Sequence, residues 1–471
     1  MTQVRSLLEA FCLDAHVPGL AFGLVRDGQL ASFEAVGVQD LVSARPVTAD
    51  SLFRIASMTK VFTALTVLKL RDEGLLALDA LAEDHVPELR GWVYPTDDAP
   101  RIRIRDLLNH CAGFVTDDPW GDRQQTLPET EFTRFLQSGV PFTRAPGLAY
   151  EYSNLGYALL GRVIANARGE AYDRVVADTL LQPLHMNASG YDMASTVDDR
   201  RALGYRWEDA AWRSEPMLEH GAFGAMGGLH TCAADYARWV AFLLAAWPAR
   251  NGPETGPVRR STVRELAQGS NFPRLRGRNA GAGSDSPAVA VTYGMGLEVT
   301  QDPVLGLTLS HSGGYPGYGS HMLLLPERGI GLFGFASRTY AAPAGVLWDI
   351  ALALDGESAL GAPRGIVSGD ALNAAYDAAQ AIYVAGRVHD QMAVLAMNFL
   401  LDRDADGWTR DLLDLKTQAG RLLSSQSFTP SGALSATFVW CCAQGRIRGT
   451  LQLAPTTPPT IQTLRLALIQ P

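Results

Sequence analysis

The spacing of apolar positions changes along the chain, and each change predicts a different kind of element. Near the start, Gly19-Leu20-Ala21-Phe22-Gly23-Leu24-Val25 and Leu30-Ala31-Ser32-Phe33-Glu34-Ala35-Val36 flank Arg26-Asp27-Gly28-Gln29. Two apolar runs around an Asp-Gly turn predict a β-hairpin. Phe53-Arg54-Ile55-Ala56 reads as a short strand end, and the dense apolar run Val61 to Leu68 that follows predicts a helix ending near Gly74. The pattern then stays mainly helical to about Ala267, broken by loops at 94–100 and 116–123. Strand character returns with Tyr293 to Val299, Leu307 to Ser310, Ser320 to Leu325 and Ile330 to Phe335, before a helix over 342–354. The segment Gln268 to Pro287, rich in Gly, Ser, Asn and Arg, reads as a mobile loop.

Strands at both ends with helices between predict an α+β fold. One antiparallel sheet is completed by two distant parts of the chain, and a helical subdomain of about 60–285 is inserted between them. A main domain of 1–355 is followed by a Gly/Ser/Ala/Pro linker at 356–369 and a small α+β accessory domain at 370–471. In the latter, helices are expected at 371–386 and 406–422. The strict alternation in Arg446-Ile447-Arg448-Gly449-Thr450-Leu451-Gln452-Leu453, repeated in Leu464 to Leu468, predicts a half-buried antiparallel sheet.

Composition narrows the function classes. At 47% hydrophobic and 19% charged the chain has an ordinary globular balance, and its net charge of −9 argues against a nucleic-acid surface. No run of eighteen apolar residues exists, so no membrane span is expected. The segment from Met1 to Leu8 reads as an amphipathic helix and not a signal peptide, which gives a cytoplasmic expectation. The five cysteines, Cys12, Cys111, Cys232, Cys441 and Cys442, are scattered and read as buried free thiols. The nine histidines form no metal-ligand motif, so neither a metal nor an organic cofactor is expected.

Only three lysines occur, and one of them stands three places after a serine in Ser57-Met58-Thr59-Lys60. A chance S-x-x-K in such a chain has odds of about one in six. Residues i and i+3 share one helix face, which sets an amine beside a hydroxyl, and serine needs such a base to act as a nucleophile. Ser57 is equally readable as a helix N-cap. A cation in a first helical turn opposes the macrodipole, however, and the apolar surroundings predict burial of Lys60 with a depressed pKa. Lys69 and Lys416 are expected at the surface.

Two further segments carry candidate chemistry. Tyr152-Ser153-Asn154 lies between a Pro146-Gly147 turn and a predicted helix over 155–167. Asn154 reads either as its N-cap or as a carboxamide orienting substrate and lysine. Tyr152 reads either as packing or as a proton relay whose pKa a neighbouring cation lowers. His311-Ser312-Gly313-Gly314 stands at a strand end, either as a plain glycine turn or as a strand edge along which substrate lies, with His311 assisting proton transfer or anchoring an anion.

In order, S-x-x-K, Y-x-N and H-x-G resemble the serine β-lactamase and penicillin-binding-protein superfamily, in its class C-like branch of family VIII carboxylesterases, D-aminopeptidases and D-alanyl-D-alanine carboxypeptidases. Val17-Pro18-Gly19, Leu107 to Gly113 and Met226 to Thr231 are similar as well, and the resemblance spans about residues 8–355. It implies a β-lactamase-like fold and a Ser57 acyl-enzyme, with Lys60 and Tyr152 sharing the base role. It also implies His311, Asn154, Ser312, Gly313 and Gly314 around the substrate, and the N–H groups of Ser57 and Gly314 on the oxyanion. The class C enzymes carry lysine where His311 stands, and a neutral histidine is a weaker carboxylate anchor. The expected activity is therefore hydrolysis of small ester, amide, D-amino-acyl or peptide substrates. The alternatives are a D-Ala-D-Ala carboxypeptidase, a weak β-lactamase or a penicillin-recognition sensor. Substrate choice is expected to rest on the loops at 116–123 and 268–287. The C-terminal domain is a candidate surface for homo-oligomers.

Overall fold

The computed structural model describes residues 2–271, 274–277, 288–425 and 428–469. Contacts divide the chain into two compact units, Met1–Pro363 and Arg364–Pro471. The fold class is the expected α+β one.

The first unit is built on an eight-stranded antiparallel sheet. In chain order its strands are β1 (Gly19–Arg26), β2 (Gln29–Gly37), β3 (Arg274–Gly277), β4 (Ala288–Tyr293), β5 (Glu298–Asp302), β6 (Gly306–Tyr315), β7 (Tyr318–Leu325) and β8 (Ile330–Ala336). Their spatial order is β2-β1-β8-β7-β6-β5-β4-β3, so the N-terminal hairpin docks on the last strand of the return. Strands β1, β7 and β8 are buried on both faces, which explains their near-continuous apolar sequences. Alternate residues serve two cores. Ala21, Val25, Met322, Leu324, Phe333 and Phe335 face the helical subdomain. Leu20, Phe22, Leu24, Leu323 and Leu332 face the terminal helices α1 (Thr2–Asp14) and Ala344–Gly356.

Between β2 and β3 the chain forms the helical subdomain, with α2 (Thr59–Asp72), α3 (Asn154–Arg168) and α4 (Ala233–Leu244) as its main helices. Helix α2 is buried at eleven of its fourteen positions, so it runs through the core with almost no solvated face. Phe62 stacks on Trp239 of α4 with ring centroids 3.8 Å apart, fixing α2 laterally. The second unit packs helices Asp370–Ala385 and Ala405–Ala419 on a five-stranded antiparallel sheet that includes Arg446–Leu453 and Ile461–Ile469.

The structure corrects several local expectations. Tyr293 to Val299 is two strands and not one. Gly294 N–H donates to Leu297 O at 2.8 Å, closing a turn in which Gly296 takes a left-handed backbone (φ 87°) and packs closely on Lys60 and Val61. The glycines after His311 make no turn, because β6 continues through them and pairs Gly313 with Ser320 and Gly314 with Gly319. The loop expected over 268–287 holds edge strand β3, paired with β4, while 272–273 and 278–287 lie outside the described residues. A hairpin, Tyr205–Glu208 with Ala211–Ser214, falls inside the expected helical region. The five cysteines are free, four of them buried. Among the described residues no helix is long and apolar enough to cross a membrane.

Removing the Phe62 ring leaves a cavity against Trp239. Phe62→Ala is expected to destabilise the fold by about 3–5 kcal/mol, read as a lower midpoint in denaturant unfolding. A loss below about 1 kcal/mol would contradict this account of how α2 is held.

Candidate active site

Ser57 lies in a short 3-10 turn, Ala56–Met58, that leads directly into α2. Its side chain caps nothing: Met58 holds the N-cap position of α2 without a side-chain bond. Ala56 adopts a left-handed backbone (φ 49°), a conformation that costs a non-glycine residue about 1–3 kcal/mol and so needs its surroundings to enforce it. They do so from two sides. Ser320 Oγ donates to Ile55 O at 2.7 Å, and Ile55 N–H donates to Leu229 O at 3.0 Å. A Cβ on Gly313 would stand 2.4 Å from Ile55 O, so only glycine lets β6 lie this close to the turn. Gly313 therefore packs behind Ser57 and does not border the substrate space, in contrast to its expected role.

Lys60 is fully buried and its Nζ has three acceptors: Asn154 Oδ1 at 2.7 Å, Met226 O at 2.8 Å and Ser57 Oγ at 3.0 Å. A neutral amine has two N–H donors and one lone pair. Protonated, the amine donates to all three; once it loses a proton, the two carbonyl oxygens keep its two donors and the lone pair turns to the Ser57 hydroxyl. Burial lowers the Lys60 pKa to about 8, against the opposing pull of Asp118, Asp122 and Asp117. Lys69 is partly exposed and pairs with Glu73 at 3.3 Å, and Lys416 bonds Val384 O at 2.9 Å.

Asn154 is the first residue of α3, while Ser153 is its N-cap, accepting from Gly156 N–H at 3.2 Å. This moves the expected cap by one residue and frees the Asn154 carboxamide for Lys60. Asp117 holds that corner, its two oxygens accepting from Asn154 N–H at 2.6 Å and Leu155 N–H at 2.8 Å. Asn154 Nδ2 donates to Asp118. Tyr152 places its ring centroid 4.9 Å from Lys60 Nζ and lines the same cavity as Ser57. Burial, and then the charge of Asp118, push its pKa well above the ordinary tyrosine value, overturning the expected lowering by the lysine. The phenol stays protonated. Behind it, buried His110 accepts from Ser153 N–H at 3.1 Å and packs its ring on Tyr152, Tyr157 and Tyr293.

His311 is buried, with Nδ1–H donating to Ser312 O at 2.6 Å and Nε2 accepting from Tyr293 O–H at 3.0 Å. Burial, followed by the Lys60 charge, lowers its pKa to about 3. Both ring nitrogens are engaged and the ring is neutral, so it offers no charge to an anion. Ser312 hydrogen-bonds His321 Nδ1 at 2.8 Å.

Ser57, Tyr152, His311, Ser312 and Gly314 line one cavity of about 630 Å³, with Tyr150, Tyr293 and Tyr340. The charged groups on its wall are Asp118, Asp122, Glu151, Glu298 and Arg144. Arg144 is paired with Glu151 at 2.6 Å, which leaves the wall net acidic. Asp122 accepts from Tyr340 O–H at 2.9 Å, and burial next to Asp118 raises its pKa to about 7. The three aspartates, Tyr340 and the Met226 carbonyl carry no local sequence signal, since each reaches the site through long-range contacts. His110 and Met226 lie in segments singled out by resemblance alone. Among the described residues no group of three His, Cys, Asp or Glu could hold a metal ion.

A family model described as Beta-lactamase matches residues 4–357. Protein flp of Staphylococcus aureus (strain COL) is 27% identical over 338 residues, covering 70% of this chain. The chain spans about 61% of the length of that relative. Among solved structures, the octameric penicillin-binding protein homologue from Pyrococcus abyssi superposes with a TM-score of 0.65 at 18% identity, covering 99% of both chains. A class C beta-lactamase gives 0.60 at 19% identity, covering 76% of this chain and 96% of its own. These likenesses show the β-lactamase fold.

The three lysines make the central amine directly observable. In ¹³C NMR of lysine-labelled protein, one Cε resonance is expected to titrate near pH 8 and to vanish in Lys60→Arg. In Asp122→Asn it should titrate at lower pH, because a charge that holds the proton on has been removed. Three resonances all titrating above pH 10 would contradict the burial argument.

Proposed function

The chain belongs to the Beta-lactamase family, and on that premise we propose that it is a serine hydrolase cleaving small ester, amide or D-amino-acyl bonds through an acyl-enzyme on Ser57. The observation that carries this reading is the buried Lys60 amine 3.0 Å from the Ser57 hydroxyl. Ser57 Oγ attacks the carbonyl carbon while its proton passes to Lys60 Nζ. The oxyanion is held by the N–H groups of Ser57 and Gly314. Tyr152, kept protonated, donates to the leaving group and is restored from Lys60. Water then attacks the acyl carbonyl by the same route in reverse, releasing the acid and Ser57.

The cavity wall supports a choice among substrates. Both β-lactams and D-Ala-D-Ala peptides present a carboxylate, which a net acidic wall with a neutral His311 repels. A neutral ester or the ammonium of a D-amino-acyl group meets no such penalty. His311 is read here as a neutral wall residue that orients Tyr293 and Ser312.

Ser57→Ala is expected to cut activity on the best substrate by at least about 10³-fold. A 4-nitrophenyl ester or D-alanyl-anilide should be turned over faster than nitrocefin. Full activity in the alanine variant would overturn the mechanism, and a stable acyl adduct without turnover would identify a sensor instead.

Self-association through the unit Arg364–Pro471 is proposed as well. The Pyrococcus abyssi homologue is described as octameric, and its likeness extends over this unit. The unit also exposes Val367, Met397 and Leu401 at 88%, 88% and 77%. Light scattering of the full chain should give a multiple of the chain mass, lowered by Leu401→Glu with Met397→Glu. A monomer at micromolar concentration would refute it.

A further inference from the structure

A second cavity, of about 330 Å³, lies against the loop that walls the first one. Thr116 and Asp118 line both. The lining of the second cavity is mostly apolar, with Phe114, Val115, Pro119, Trp120, Phe135 and Val140 among its residues. Its volume falls in the range of small-ligand sites. Val115 and Trp120 retain 53% and 46% of their surface exposed, so the fold leaves apolar surface here that a ligand would remove from water.

The dividing loop is firmly held. Thr116 N–H donates to Glu151 Oε1 at 3.0 Å, Asp117 binds the N-terminus of α3, and Asp118 accepts from Asn154. A cavity bounded by such a loop is preformed, and it adjoins the catalytic cavity at Thr116 and Asp118.

We infer that this second cavity receives the apolar part of the substrate, a medium-length acyl chain or an aryl group, beyond the bond held at Ser57. The inference rests on the hydrolase reading above and deepens it. The catalytic cavity sets the chemistry at the carbonyl, and the apolar one sets the length and shape of the attached group.

The test is kcat/KM of the full chain for 4-nitrophenyl acetate, butyrate, hexanoate and octanoate, in the wild type, Val140→Trp and Phe135→Ala. In the wild type the values should rise with chain length to hexanoate or octanoate. Val140→Trp fills the cavity and should lower the octanoate value about tenfold while the acetate value stays within about twofold. Phe135→Ala enlarges it and should shift the optimum to a longer chain, so the assignment does not depend on one variant folding. A chain-length profile unchanged in both variants overturns it, even where hydrolysis still depends on Ser57. Octanoate that activates acetate hydrolysis without competing with the octanoyl ester also overturns it, since the cavity then takes a separate effector. Loss of Ser57 dependence for every ester defeats the hydrolase reading itself and is a distinct result.

Discussion

The structure depends on keeping an amine dry. Lys60 has no solvent contact, and its three hydrogen-bond partners, Ser57, Asn154 and Met226, are all neutral. Desolvation therefore outweighs the field of Asp117, Asp118 and Asp122. Every element around it serves that balance. Helix α2 is buried nearly all round, so the lysine is held within the core. The segment at 225–231 binds α2 through Thr63 Oγ1 donating to Ala225 O and Leu229 N–H donating to Thr59 Oγ1, and it presents the Met226 carbonyl. Helix α3 delivers Asn154 because Ser153 and Asp117 fix its first turn.

The same dryness determines the other titratable groups. His110 and His311 both stay neutral because burial and the nearby amine disfavour a second positive charge. Tyr152 keeps its proton for the opposite reason, since burial and Asp118 disfavour a phenolate. Two neutral rings, a protonated phenol and a poised amine follow from one cause, the low polarizability of their surroundings. Negative charge lies instead on the cavity wall, at Asp118, with Asp122 beside it poised to ionise near pH 7.

Legibility in the sequence followed how local each signal is. The α+β class, the hairpin around Asp27-Gly28 and the strand Arg446–Leu453 were readable because period and turn chemistry lie within a few residues. The break between Tyr293 and Val299 was not, because Gly296 responds to contacts with α2 more than two hundred residues away, while Gly294 lies against Leu266. His311-Ser312-Gly313-Gly314 reads either as a turn or as a strand edge, because glycine serves both, and here it continues a strand and permits close approach of Ile55. Ser57, Lys60, Tyr152 and Asn154 stood out through spacing and resemblance. Asp117, Asp118 and Asp122, which set their electrostatics, sat in a stretch readable only as a loop.

The scarcity of lysine has a practical side. Lys60 is sealed, and the remaining side-chain amines, Lys69 and Lys416, lie on different units of the chain. Reagents that acylate amines therefore meet, besides the chain's terminal amine, one address on each unit and none in the reaction chamber. Coupling at either leaves the Ser57–Lys60 pair untouched.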